Sequence, residues 1–249
     1  MEDGKLTVRA VERALDILLV FTEHTSLGLT EIAEKAGLHK STVHRLLASL
    51  EGKGFLIRDA GTEKYRLGFR VWELSAQLAG QLDDPGALLL PEMERLRDLV
   101  GETISLYIRE GNERIRIQAV QSHHAIRRVA PVGARMPLYV GASSKVLLAF
   151  EDPHVREELL RSPDWPASID REAFLRGLED IRVQGYATSV EEREPGAAAV
   201  AAPILAGKGR LAAALAVSGP SNRLTLEKMR EIAPQVMQAA RRMGTMMKS

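Results

Sequence analysis

The apolar positions in the first third of the chain recur with helical spacing. Val11, Ala14, Leu15, Leu18, Leu19 and Phe21 form one stripe over residues 9–23, the pattern of an amphipathic helix. After a break at HTSLG, Leu29 and Thr30 open a second helix, with Thr30 as N-cap and Ile32, Ala33 and Ala36 facing inward. Gly37 closes it, because glycine tolerates the left-handed conformation at a helix C-terminus. A third helix begins at residue 40 or 41 and runs to 52 or 53. Two helices joined by so short a glycine-containing turn have helix-turn-helix spacing. FLIRD, AGTE and KYRLG then read as two short strands around a tight polar turn, a β-hairpin. Three helices and a hairpin make the winged form of the motif. Residues 68–81 return to helix, and DDPG at 83–86 marks a domain boundary.

Beyond that boundary the periodicity alternates between helix and strand. A helix over residues 88–100 precedes ETISLYIREGNERIRIQAVQS, which alternates around a turn at 110–113. AIRRVAPVGARMPLY, a short helix SSKVLLAF and helices near 153–161 and 170–184 follow. Two strand-like runs, AAAVAAPIL and RLAAALAVSG, and a long helix over 225–247 complete the pattern. Strands flanked by helices predict an α+β domain around one antiparallel sheet. The expected domains are residues 1–68, a linker helix over 69–84, and 85–249.

Composition narrows the function classes. A chain of 249 residues can bury a sizeable core as one large domain or two modest ones, and its 45% hydrophobic and 27% charged residues are those of a soluble globular protein. The net charge of +1 rules out a whole-molecule attraction to nucleic acid or membrane, so any such binding needs a local patch. The absence of cysteine excludes disulfides, thiolate metal sites and a cysteine nucleophile, and fits a reducing cytoplasm. The first apolar run is interrupted by Glu12, Arg13 and Asp16, so it reads as neither signal peptide nor membrane span. No other stretch approaches the ~20 apolar residues of a spanning helix. A cytoplasmic protein with no membrane partner is expected.

The third helix carries the first candidate chemistry. With Val43 at the centre of its buried side, Leu46, Leu47 and Leu50 lie within about 60° at 100° per residue. The opposite face is Ser41, Arg45, Ala48 and Gly52, flanked by Thr42 and His44. A hydroxyl and a long donor followed by residues with almost no side chain allow a helix to sink close to another surface. Charge agrees: residues 1–36 carry a net charge of −3, whereas 37–70 carry +4, from Lys40, Arg45, Lys53, Arg58, Lys64, Arg66 and Arg70 against Glu51, Asp59 and Glu63. Those are the elements a winged helix lays against the major groove and flanking backbone. Arg45 can fork onto guanine, and Ser41 or Thr42 can reach a phosphate or base edge. The predicted DNA-contacting set is Thr30, His39, Lys40, Ser41, Thr42, His44, Arg45, Lys64 and Arg66. The competing reading is a helical hairpin used for dimerisation. His39 and His44 are five apart, off the i, i+4 spacing of ligands on one helix face, and His123 and His124 would point to opposite sides of a strand, so no metal site is expected.

The chain resembles the isocitrate lyase regulator (IclR) family of bacterial transcription factors. The matching residues are LTEIAEKAGLHKSTVHRLLASLEGKGFLIRD and KYRLG, then VGARMPL, SKVLLAF, QGYATSVEE, AAPI, and LAVSGP followed by SNRLT. The resemblance spans nearly the whole chain, from VRAVERALDILLVF to the last helix. It implies a winged helix-turn-helix domain, a linker helix and a GAF-like C-terminal domain that binds a small effector. It also implies a homodimer or homotetramer, repression or activation of genes, and no enzymatic activity or cofactor. By position, the effector site would be lined by Met136, Leu138, Ala142, Ser143, Ser189, Ala197, Ala199, Ala216 and Ser218. Backbone N–H groups opening SSKVLLAF would favour an anion, and alternate strand residues would face one cavity.

The chain departs from the family pattern in places. Ser144 stands where many members have Gly, Ser189 where Asp is usual, Ala199 where Cys is common and Ala216 where Ser often lies. Leu205 and Ala206 replace an aromatic and an Asp or Asn. The lining is therefore expected to be small and poor in polar groups, which suits an aromatic or hydrophobic acid more than glyoxylate or pyruvate. The same changes also read as core substitutions with no effect on ligand class. Two other functions compete with an acid-responsive regulator: an oligomeric DNA-binding regulator without effector, and an enzyme. The last finds no GxSxG, HExxH or phosphate loop, and the Glu191-Glu192 pair reads as a solvated strand end.

Overall fold

The structure is a computed structural model that describes residues 7–81, 85–127, 131–163 and 165–247. The chain divides into two compact units, residues 1–84 and 85–249. Of the boundary expected at 83–86, Asp83 and Asp84 lie outside the described residues.

The first unit runs α1 (Arg9–Val20), α2 (Leu29–Lys35), α3 (Lys40–Gly52), β1 (Leu56–Arg58), β2 (Tyr65–Leu67) and α4 (Phe69–Gln81). Ile17, Phe21, Leu27, Ile32, Val43, Leu47, Leu56 and Tyr65 form its core. The expected single stripe on α1 is in fact two. Ile17 and Phe21 are buried, with Ala14 and Leu18 packed against the same core. Val8, Val11, Leu15 and Leu19 cover the opposite side and are 53–64% exposed. At 100° per residue these four cluster about 180° from Ile17, so a pattern that counts apolar residues merges two faces that the core separates.

Thr30 is not the N-cap of α2. Gly28 holds that position, and the Glu31 carboxylate accepts from its backbone N–H at 2.7 Å. A glutamate at the third helical position supplies half of a capping box, which moves the helix start forward and places Thr30 in the exposed first turn. Gly37 adopts φ +64° after α2, as its place in the turn requires.

β1 and β2 pair antiparallel, Leu56 opposite Leu67 and Arg58 opposite Tyr65. Leu27 adds a bridge to the hairpin, exchanging backbone hydrogen bonds with Tyr65 at 3.0 and 2.8 Å. The hairpin closes where Gly68 passes the turn after α3. A Cβ on Gly68 would lie 2.1 Å from the carbonyl oxygen of Gly54.

The second unit runs α5 (Pro85–Val100), β3 (Thr103–Glu110), β4 (Glu113–Val120), β5 (Arg135–Pro137), α6 (Ala142–Ala149), α7 (Pro153–Arg161), α8 (Arg171–Gln184), β6 (Ala187–Val190), β7 (Ala197–Ala206), β8 (Arg210–Pro220) and α9 (Leu226–Met246). The strands form one antiparallel sheet in the order β5-β4-β3-β8-β7-β6. Alternation sorts its residues onto two faces. Ile104, Leu106, Val200, Leu215 and Val217 pack under α5 and α9. Tyr107, Ala201, Ala214 and Ala216 lie under α6 and α8. This is the α+β arrangement expected, with β6 as a short edge strand that ends just before Glu191. No helix of the described residues is long and apolar enough to cross a membrane.

Replacing Gly68 with alanine should force the Gly54 carbonyl to move and destabilise the first unit by about 1–3 kcal/mol. Urea unfolding followed by circular dichroism would show the loss; an unchanged midpoint would mean that the hairpin closure is not under that constraint.

Candidate functional site

Two sites emerge, one in each unit. In the first, α3 buries Val43, Leu47 and Leu50 and turns Ser41, Arg45, Ala48 and Gly52 outward, as helical geometry predicts. His39 is its N-cap: the ring Nδ1 accepts from the Ser41 backbone N–H at 3.4 Å and lies 2.8 Å from Ser41 Oγ. The predicted contact residues at the start of the helix are thus partly used to hold each other. Arg45 has no side-chain partner among the described residues, and Lys40, His44 and Arg45 are exposed, with Thr42 half-buried. Thr30 on α2, Arg66 on β2 and Lys64 just before that strand are also exposed, on separate elements of the same unit. The wing turn is organised by Asp59, which accepts from the backbone N–H groups of Gly61 at 3.1 Å and Thr62 at 2.7 Å and from the Thr62 hydroxyl. Those bonds hold the Asp59 carboxyl below its usual range, the Thr62 N–H contributing most.

The second site is a cavity of about 60 Å³ on the α6 face of the sheet. Met136, Ala142, Ser143, Ser189, Ala197, Ala199, Ala216 and Ser218 line it, so eight of the nine expected positions converge there. Leu138 does not. It is buried, but it lines a separate cleft with Tyr139, Leu159 and Trp165, because the chain leaves β5 in a turn before α6.

The lining is also far less apolar than expected. Tyr107 from β3, Arg114 and Arg116 from β4, and Arg193 from the loop between β6 and β7 face the same space. Arg114 is 4% exposed and Arg116 2%. The Arg114 Nη1 donates to the carbonyls of Pro137 at 3.1 Å and Val140 at 2.5 Å and to the Ser144 hydroxyl. Its Nη2 lies 3.7 Å from the Met136 sulfur. Burial pulls its pKa down to about 10, against partial compensation from Tyr107. Arg116 donates twice to the Tyr107 hydroxyl, at 3.0 and 2.6 Å. Both guanidiniums sit by the Tyr107 ring, 5.5 and 5.3 Å from its centre.

The departures at Ser144 and Ser189 take on roles here. Ser144 Oγ accepts from Arg114 and donates to the Pro137 carbonyl at 2.9 Å, so it couples the arginine to the entry of α6. Ser189 lines the cavity without adding negative charge. The Glu191-Glu192 pair is more than a solvated strand end. Glu191 accepts from the Ser221 hydroxyl at 2.7 Å, and Glu192 accepts from the Gly141 N–H at 3.0 Å and from Lys145 at 2.5 Å. These contacts tie the β6–β7 loop, and with it Arg193, to the start of α6.

Sequence reasoning missed Tyr107, Arg114, Arg116 and Arg193. The signal was present in ERIRIQ, where Arg114 and Arg116 share one side of a strand and Ile115 and Ile117 the other. Alternation alone assigns the isoleucines to the interior. In the fold they are half-buried and the arginines are buried.

Comparison with known proteins gives the family of both units. The family model for the IclR helix-turn-helix domain matches residues 10–60. That for the C-terminal region of the bacterial transcriptional regulator IclR matches residues 87–245. The HTH-type transcriptional regulator BhcR of Paracoccus denitrificans is 33% identical over 245 residues, covering 95% of this chain and 86% of that one. XynR of Escherichia coli, also an HTH-type transcriptional regulator, is 33% identical over 240 residues, covering 93% and 94%. Among solved structures, an IclR homologue from Microbacterium hydrocarbonoxydans complexed with 4-hydroxybenzoate matches with TM-score 0.79 and 30% identity, over 94% of this chain and 98% of that one.

Ser144→Ala should leave the buried Arg114 guanidinium short of one acceptor and cost about 1–3 kcal/mol. Thermal unfolding of the full chain would register it as a lower midpoint; wild-type stability would indicate that water or the Pro137 carbonyl takes over.

Proposed function

Since this chain belongs to the IclR family of bacterial transcriptional regulators, we propose that its hold on operator DNA is set by a short organic acid in the arginine-lined cavity of the second unit. The family members it matches are DNA-binding regulators rather than enzymes. The observation that carries the effector reading is the cavity itself, a space of about 60 Å³ lined by the buried guanidiniums of Arg114 and Arg116. Cationic donors held out of bulk water suit an anionic ligand.

In this reading α3 enters the major groove. Arg45 reads a base edge, Ser41, Thr42 and His44 flank it, and Ala48 and Gly52 let the helix approach. Lys40, His39 and Thr30 lie toward phosphates, as do Lys64 and Arg66 on the wing. The exposed apolar side of α1 and the exposed Phe69 and Trp72 of α4 support assembly as a homodimer through the first unit. A two-fold pair of recognition helices would then fit two half-sites about one helical turn apart.

The small volume favours a short acid. 4-Hydroxybenzoate, the ligand of the Microbacterium protein, is the competing candidate and would require the cavity to widen.

Arg45→Ala should weaken specific operator binding by about 1–3 kcal/mol and relax preference at one base pair, with binding also falling steeply with salt. Gel shift at several salt concentrations checks both; unchanged affinity would remove Arg45 from the reading face. Ala199→Leu should fill the cavity and abolish the response to an acid while operator binding persists. If no acid from a panel alters operator binding by the wild-type chain, the effector-free regulator becomes the better description.

A further inference from the structure

A carboxylate of the chain itself already sits where the cavity meets α6. Gly141, Ala142 and Ser143 line the cavity at the start of that helix. The N-cap is Gly141, which has no side chain to satisfy the first helical N–H groups. Glu192, on the loop between β6 and β7, brings its carboxylate to this end. It accepts from the Gly141 N–H at 3.0 Å and from Lys145 Nζ at 2.5 Å. An anion is favoured there by the helix dipole and by the charge of Lys145. The Arg114 guanidinium packs against the same glycine, its Nη2 3.2 Å from where a Cβ would stand.

The cavity holds groups that await an acceptor. Ser218 Oγ, on a residue 7% exposed that lines the cavity, has no hydrogen-bond partner, and Arg114 Nε has none either. A ligand carboxylate that docks on Arg114 and the head of α6 comes up beside that of Glu192. Two carboxylates at one buried glycine disfavour each other, so one of them must leave. Glu192 is the less firmly held, on a loop and with its side chain 34% exposed. Its neighbour Glu191 has φ +55°, a left-handed conformation that is costly for a residue other than glycine. That conformation is kept by the Glu191 N–H donating to the Ala197 carbonyl and by its carboxylate accepting from the Ser221 hydroxyl, both at 2.7 Å. Such strain persists only while the surrounding contacts hold it. The cavity of about 60 Å³ has room for roughly four water-sized groups, so an acid larger than acetate must widen it. The loop carrying Glu192 and Arg193 is the wall able to move.

We propose that Glu192 is a built-in competitor of the effector: its carboxylate latches the β6–β7 loop to α6, and an acid bound at Arg114 displaces it and frees the loop. The proposal rests on the effector reading above and adds how the bound acid is converted into a movement of the protein.

The test combines titration calorimetry with hydrogen exchange of the 191–196 segment, on the full-length chain with propanoate as the probe. Saturating propanoate should raise exchange of that segment in the wild type. Glu192→Gln should show raised exchange with no acid present and bind propanoate about fivefold or more tightly. Glu192→Asp keeps the charge but is one methylene too short to reach both Gly141 and Lys145, and it should also bind propanoate more tightly. If only Glu192→Gln gains affinity, the general removal of a negative charge explains the gain and the latch is overturned. Propanoate binding to the wild type with exchange of the loop unchanged or lowered would overturn it as well, and would leave the effector reading intact. Heat from propanoate with neither the wild type nor either variant would remove the short-acid reading and the latch together.

Discussion

The second unit is organised around two arginines that a sheet face cannot easily hide. Arg114 and Arg116 project from β4 toward the side covered by α6, and each must find hydrogen-bond acceptors there. Arg114 takes the carbonyls of the β5–α6 connection and the hydroxyl of Ser144, which fixes how α6 begins. Arg116 takes the phenol of Tyr107 on the neighbouring strand. The small residues of β7 and β8 then matter as much as the arginines. Ala199 opposite Ser218 and Ala201 opposite Ala216 leave space above the sheet where larger side chains would have closed it.

The loop from β6 to β7 links this interior to its mouth. Glu191 reaches the turn after β8, and Glu192 reaches Gly141 and Lys145 at the start of α6. Arg193 is held between these anchors at the cavity edge. An anion entering the cavity would therefore meet groups from β4, α6, the loop and β8 at once. A ligand stabilises the arrangement it binds best, so such a site can bias the packing of α6 and the loop together. That is a physical requirement for an effector to alter anything beyond its own pocket.

The first unit shows the opposite economy. Its core is small, and α1 contributes only one side to it, leaving Val8, Val11, Leu15 and Leu19 outside. The outward face of α3 is likewise stripped of bulk after Arg45. One of these surfaces is apolar and the other cationic.

Much of this was legible in the residues. Helical and strand periods placed nearly every element, Gly37 located the end of α2, and the outward row of α3 followed from angle alone. Family resemblance named nine positions for one site, and eight of them line the same cavity. Two failures were local, the cap of α2 at Gly28 rather than Thr30 and Leu138 lying outside the cavity, and the larger ones were of one kind. Periodicity ranks residues by polarity and locates faces, but it does not say what covers a face. It merged the two apolar sides of α1, and it gave no reason to bury the arginine side of β4. Only the tertiary structure decides those matters, because burial depends on which distant segments pack above a strand and which acceptors they bring. The carbonyls of Pro137 and Val140, Ser144 and the phenol of Tyr107 make a buried arginine tolerable, and that turned an apolar expectation into a cationic cavity.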